Sequence, residues 1–392
     1  MEKLLRLLLV MLLAVITACP CAALADGASD FVVTDDPEDD DRLLYQARLI
    51  AGQMTTEEKI CQLMIVAPEA LSGATYTLTA ENGLLDGLRT YPVGGVVLFG
   101  QNVSTREQVQ KLTDDMQAAA LAHRGIGLLI VGQEEGGQVS VLHEKLGDTP
   151  EASAGKLGKS GDASQVRNAA AATASYLLEL GFNMNIAVSA DVLSSESGTD
   201  IGDRSFSGDP ATVADMACAA EAAYREGGVI PAVMHFPGHG GVEGSTHTGQ
   251  KKITKGLEVL RVCELVPFQR LIDGGAQVII ASNLIAGRVD PEMPVSMSYE
   301  MITRLLREEM GFDGVVMTDS LRERYITSQY RPAQAALNAL QAGTDVLYLP
   351  EDVGAVVDGL VSALESGRLS EERLNESVVR VLRLKLSFGI VQ

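Results

Sequence analysis

The sequence predicts an α/β protein: a single (β/α)8 TIM-type barrel after an N-terminal signal segment. Three observations lead there. Short apolar runs alternate with longer amphipathic segments along the chain, which is the pattern of parallel strands covered by helices on both faces. Eight such runs are present, as a closed barrel requires. Polar residues gather directly after the runs, where barrels of this type keep their chemistry.

The chain opens with Lys3 and Arg6 around a leucine-rich start, then an unbroken apolar core from Leu7 to Ile16 and a string of small residues. This reads as an export signal, too short for a membrane-spanning helix. Two processing readings compete. The run from Ile16 to Cys19 resembles a lipoprotein box that would place a lipid anchor at Cys19, whereas Ala23 to Ala25 fits an ordinary signal-peptidase site. Pro20, directly after Cys19, favours the second. Residues 1–25 are thus read as signal peptide, residues 26–42 as an acidic linker carrying the run from Asp35 to Asp41, and residues 43–392 as the barrel. The mature chain is expected to be exported, extracellular or associated with the cell envelope, and to have no integral membrane span. Cys61, Cys218 and Cys263 are too widely spaced to suggest a disulfide framework or a zinc site.

Within the barrel, Leu43 to Gly52 has helical spacing. Thr55 to Glu58 is a capping-box signature for a second helix carrying Ile60, Leu63 and Met64. The strands are expected around Leu63–Val66, Gly95–Phe99, Leu128–Val131, Phe182–Ala187, Ile230–Met234, Val278–Ala281, Gly314–Thr318 and Asp345–Leu349. A doubly wound sheet is the alternative, but its glycine fingerprint is missing, because Gly238 and Gly240 are followed by Glu243 where a third glycine belongs. The formal charge of −21 argues against nucleic acid or an anionic membrane surface as partner, since both would repel the chain.

The polar residues expected at strand ends are Gln133 to Gln138, Asp191, His235 to His247, Asn283, Asp319 and Glu351. Any one of them alone reads as a cap or a turn former; their coincidence weakens that reading. Three of the five histidines fall between His235 and His247, on what reads as a loop leaving a buried strand. A metal site is not expected. Pro237 and Gly238 preclude a helix that would align His235 with His239, and no glutamate follows the first histidine.

The HFPGHG run from His235 to Gly240, the IGDRSF run from Ile201 to Phe206 and the run from Gly311 to Leu321, with TDSL at its end, together resemble glycoside hydrolase family 3. The resemblance is to its single-domain bacterial β-N-acetylglucosaminidase (β-hexosaminidase) branch. Supporting matches are Gly94 to Phe99, Glu135 to Gly137 and Leu382 to Leu386. The resemblance implies a retaining glycosidase in which Asp319 is the nucleophile and forms a covalent glycosyl intermediate. His247 matches the general acid/base, a task suited to imidazole with its ordinary pKa near ~6.5. His235, Arg204, Gln133 and Gln138 match substrate-binding positions, and His239 is expected to order the loop. A carbohydrate substrate, with no metal or organic cofactor, follows from the same resemblance.

The chain departs from the family pattern where substrate is gripped. A family lysine is Met234 here, the aspartate that would orient the acid/base histidine is Ser245, and an aspartate and an arginine are Gln133 and Gln138. Glu243 stands close enough in sequence to take over from Ser245. Each lost charge removes a charge-assisted hydrogen bond, typically about 1.5–3 kcal/mol. The expected activity is therefore hydrolysis of terminal β-linked N-acetylglucosamine-type sugars, such as cell-wall fragments. The alternative is a catalytically impaired relative that binds glycan or a partner protein through the old cleft. With no tryptophan in the chain, no stacking platform for a long glycan is evident, and a short or terminal substrate is expected.

Overall fold

The computed structural model describes residues 37–194, 199, 201–244 and 249–392. The signal segment, residues 26–36 of the linker, and the expectations for Ser245 and His247 fall outside these residues. The fold is α/β with parallel principal strands. In chain order the strands are β1 (Met64–Val66), β2 (Gly95–Val97), β3 (Leu129–Gly132), β4 (Glu134–Gly136), β5 (Val139–Ser140), β6 (Met184–Asn185), β7 (Ile230–Pro231), β8 (Val233–Phe236), β9 (Lys252–Ile253), β10 (Val278–Ala281), β11 (Ile285–Ala286), β12 (Val315–Thr318) and β13 (Leu347–Tyr348). All eight apolar runs of the sequence contain a strand. The fifth run contains β7 and the first half of β8, with only Ala232 between them.

Six strands form one sheet in the order β13-β1-β2-β3-β6-β7, and three form another in the order β12-β10-β8. Parallel bridges continue the pairing beyond the two sheets: Ser189, in the segment that follows β6, pairs with Met234 in β8, and Met317 in β12 pairs with Val346, next to β13. Val66, Val97, Val131, Val233, Ile279 and Val316 are all fully buried. Each contributes roughly 1.5–3 kcal/mol on leaving water, which is why these strands read as unbroken apolar runs.

The local signals at the start of the chain differ from expectation in two places. The first helix runs from Pro37 to Gly52, so it begins inside the stretch read as an acidic tether. Arg42 there pairs with Asp39 at 2.8 Å, an i,i+3 contact on the helix surface. The second helix, Thr56–Gln62, has the expected capping box: Glu58 N–H donates to Thr55 Oγ1 at 3.2 Å and Thr55 N–H to Glu58 Oε2 at 2.8 Å. It stops before Leu63, and Met64 opens β1 rather than extending the helix. Pairing of Met64 with Leu347 outweighs the helical spacing of that residue.

The fold is tied together at the N-terminal ends of the strands. The buried Asp345 carboxylate takes Arg307 Nη2 at 2.5 Å, Ser377 Oγ at 2.6 Å, Val316 N–H at 3.0 Å and Arg373 Nη2 at 3.3 Å. Burial alone would raise its pKa, but Arg307, Arg373 and Arg380 hold it below the ordinary carboxylate value. Beside this cluster, the helix Glu371–Ser387 buries Lys385 completely. The opposite, C-terminal strand ends are left to the polar residues named above.

Candidate active site

Asp319 follows β12 directly and is half-buried. Its backbone N–H donates to Ala281 O at 2.8 Å, extending the β10–β12 ladder by one residue. One carboxylate oxygen accepts the Ser320 N–H at 2.7 Å. The neighbouring Thr318 Oγ1 accepts the Tyr348 N–H at 3.0 Å. The turn after Asp319 is fixed from β10: Asn283 Nδ2 donates to Ser320 O at 2.9 Å and to Glu323 Oε2 at 3.1 Å, while Ser296 Oγ donates to Asn283 Oδ1 at 2.7 Å.

His235 lies in β8 itself, not on the loop that follows. Its side chain is 12 % exposed, and Nδ1 lies 2.7 Å from Oδ2 of the fully buried Asp191. Oδ1 of the same aspartate accepts the His239 N–H at 2.6 Å and the His235 N–H at 3.3 Å. Burial would raise the Asp191 pKa, but His235 and His239 outweigh it and bring it down to about 2. An ionised Asp191 requires a proton on His235 Nδ1, which leaves Nε2 as the variable atom. For His235, burial favours the neutral ring, yet the Asp191 charge and hydrogen bond raise its pKa above the ordinary value. Arg204 opposes that rise and the Asp319 charge adds to it. Asp191, Arg204 and Asp319 are thus the charged groups that act on the His235 ring.

Arg204 lies at the end of a single helical turn, Gly202–Arg204. Its Nε and Nη2 make a bidentate pair with Glu135, at 2.8 and 2.9 Å. Met234 Sδ is 3.9 Å from Nη2. Ser205 Oγ donates to Asp191 O at 2.6 Å, tying the arginine segment to the aspartate that holds His235. Gln133 is half-buried just after β3. Gln138 is exposed in the turn of the β4–β5 antiparallel hairpin, where Gly136 and Gly137 take φ of +87° and +61°. Glu243 is exposed on the loop after β8, His239 is buried there, and Glu351 is exposed beyond β13.

Two buried carboxylates near the site have partners that the sequence does not suggest. Glu134 in the hairpin is 1 % exposed; its Oε2 lies 2.6 Å from His143 Nδ1, and His143 stacks on Tyr176 at 3.9 Å between ring centroids. Glu264 is 2 % exposed and pairs with Lys255 and Ser194 beneath the loop after β8. The carboxylates are visible in the sequence, but their partners only become neighbours once the chain has folded. Among the described residues, no group of three or more His, Cys, Asp or Glu side chains is arranged to hold a metal ion.

Fold and site together define a parallel α/β protein with a carboxylate and an oriented imidazole at the C-terminal strand ends, an arrangement suited to acid/base and nucleophilic chemistry. Residues 55–384 match the family model described as Glycosyl hydrolase family 3 N terminal domain, and the chain belongs to that family. It is 30% identical over 337 residues to Beta-hexosaminidase A of Pseudoalteromonas piscicida, a match covering 80% of this chain and 56% of that protein. It is 32% identical over 345 residues to Beta-hexosaminidase LpqI of Mycobacterium tuberculosis, covering 86% of this chain and 84% of the relative. Among solved structures it is similar to a glycoside hydrolase family 3 beta-N-acetylglucosaminidase from Paenibacillus sp. str. FPU-7. That match has a TM-score of 0.81 and 33% identity and covers 86% of this chain and 63% of that one. The chain thus spans little more than half of the first of these relatives and most of the second.

Proposed function

We propose that this chain is an exported retaining glycoside hydrolase that removes terminal β-linked N-acetylglucosamine-type sugars, cell-wall fragments among them, with Asp319 as nucleophile and His247 as general acid/base. In the first step an Asp319 oxygen bonds to the anomeric carbon while the glycosidic bond breaks and the leaving oxygen takes the His247 proton. In the second, His247 takes a proton from water, the water oxygen bonds to the anomeric carbon, and Asp319 is released. The observation that carries the proposal is Asp319 itself: a half-buried carboxylate at a strand end, with one oxygen on the Ser320 N–H and its charge felt by His235. The names of the relatives support the substrate class. We read the two sheets with their bridging pairs Ser189–Met234 and Met317–Val346 as one closed (β/α)8 barrel, and the export reading rests on the leader.

The test is hydrolysis of an activated aryl β-N-acetylglucosaminide by the chain from Asp26 onward, with Asp319→Ala alongside. Turnover that disappears in the variant and is partly restored by azide supports the reading; equal turnover in both excludes Asp319 as nucleophile.

A second reading, a glycan-binding relative without turnover, is favoured by one observation. Two of the Arg204 nitrogens, Nε and Nη2, are held by Glu135, with the uncharged Met234 beside Nη2, and Gln133 and Gln138 offer sugar hydroxyls only neutral amides. Binding of N-acetylglucosamine without turnover of any aryl glycoside would decide for it.

A further inference from the structure

Both described ends of the segment from Gly238 to Lys255 rest on one buried carboxylate. Where the segment leaves β8, a Cβ added at Gly238 would lie 2.7 Å from Glu264 Cβ, and one at Gly240 would overlap Val192 O. A Cβ at Gly241 would be 2.6 Å from Ser194 Oγ, 3.2 Å from Lys255 Nζ and 3.3 Å from Glu264 Oε1. Glycine at these positions lets the main chain lie directly on a floor made by Val192, Ser194 and Glu264. Where the segment returns, Lys255 Nζ donates to Glu264 Oε1 and, at 2.9 Å, to Ser194 Oγ, which itself donates to Glu264 Oε1 at 2.8 Å. Glu264 is 2 % exposed and the Lys255 side chain 30 %. Lys255 thus balances a carboxylate that would otherwise be buried without a counter-charge, and it does so from the far end of the segment.

We infer that Glu264 and Lys255 are positioning residues, whose ion pair clasps the two ends of the segment carrying His239 and, on the reading proposed above, the acid/base His247. Neither touches the reacting atoms. Their effect is on where the segment delivers its proton, and a misplacement of one ångström can cost about a hundredfold in rate.

The test uses the full mature chain and a series of aryl β-N-acetylglucosaminides whose phenols range from strongly to weakly acidic. Weakly acidic phenols need a proton as they leave; strongly acidic ones do not. Lys255→Met is expected to lose about tenfold or more in kcat/KM with weakly acidic phenols and less than about twofold with strongly acidic ones, and Lys255→Arg to recover most of the loss. An equal loss across the series, or no loss, overturns the inference, because a merely structural pair would not discriminate between leaving groups. His247→Ala is measured in parallel. If it shows no leaving-group dependence, the acid/base reading fails, and amide exchange decides the inference on its own. Backbone amides from 238 to 242 are expected to exchange about tenfold faster in Lys255→Met with the strands unchanged; unaltered exchange overturns the clasp.

Discussion

The Asp191 carboxylate receives the His235 Nδ1 proton at 2.7 Å and the His239 backbone N–H at 2.6 Å, so one buried charge orients the imidazole at the end of β8 and the start of the loop that follows. An asparagine in its place would present a neutral amide that can donate to Nδ1 and invert the tautomer. Asp191→Asn is therefore expected to lower kcat/KM by about 10–100-fold and to lower the His235 pKa. Steady-state kinetics and an NMR titration of His235 check the two effects together.

The same pair makes stability depend on pH in a defined window. Asp191 titrates at about 2 in the fold against an ordinary value of 3.8, so its contribution is present above pH 3.8 and is lost as pH falls through about 2. The His235 pKa is raised from 6.5, so its contribution is present below pH 6.5 and is lost as pH rises through the higher folded value. The stability difference between wild type and Asp191→Asn should be level between these limits and shrink on either side. Urea denaturation across the range measures it.

Lys385 should produce the opposite slope. Burial pushes its amine down to about 7 from 10.5, and Nζ donates to Gln62 Oε1 and Gly127 O, both at 2.8 Å, the two donors a neutral amine has. Between about pH 7 and 10.5 the unfolded chain holds a proton the folded chain lacks, so stability rises with pH. Lys385→Met removes that slope and leaves two buried acceptors unmet, costing about 1–3 kcal/mol at about pH 9 and less at about pH 6. Paired denaturation curves at the two pH values check this.

Met234 lies against the cation of Arg204, with Sδ 3.9 Å from Nη2. Met234→Lys would bring an ammonium to that guanidinium and is expected to destabilise the fold by about 1–3 kcal/mol, whereas Met234→Leu should cost less than about 1.5 kcal/mol. Glu135→Gln, which breaks the bidentate pair, should be as harmful as the lysine. Thermal melts of the three variants give the order directly.

The strands are legible because burial on both faces leaves an unbroken apolar run, and Asp319 and Arg204 stand out as candidates because they lie in short dense motifs. What the sequence hides is pairing across distance. Asp191 and His235 are 44 residues apart, and Lys385 meets Gln62 across 323; no local pattern links either pair. His235 reads as a loop residue because Pro237 and the glycines after it signal a turn, yet β8 continues to Phe236 through its pairing with Ala281. The β4–β5 hairpin is hidden because its strands are too short for alternation to show, and the π-helix at Glu300–Glu309 carries the same amphipathic spacing as an α-helix.

The central claim is that Asp319 forms a covalent bond to sugar. The most direct measurement is intact-mass and peptide-mass analysis after incubation with an activated fluorinated aryl β-N-acetylglucosaminide, whose intermediate is slow to hydrolyse. One added glycosyl unit is expected on the peptide containing Asp319, and none on Asp319→Ala. Turnover of the ordinary aryl substrate with no adduct, or with the adduct on another residue, would contradict the claim.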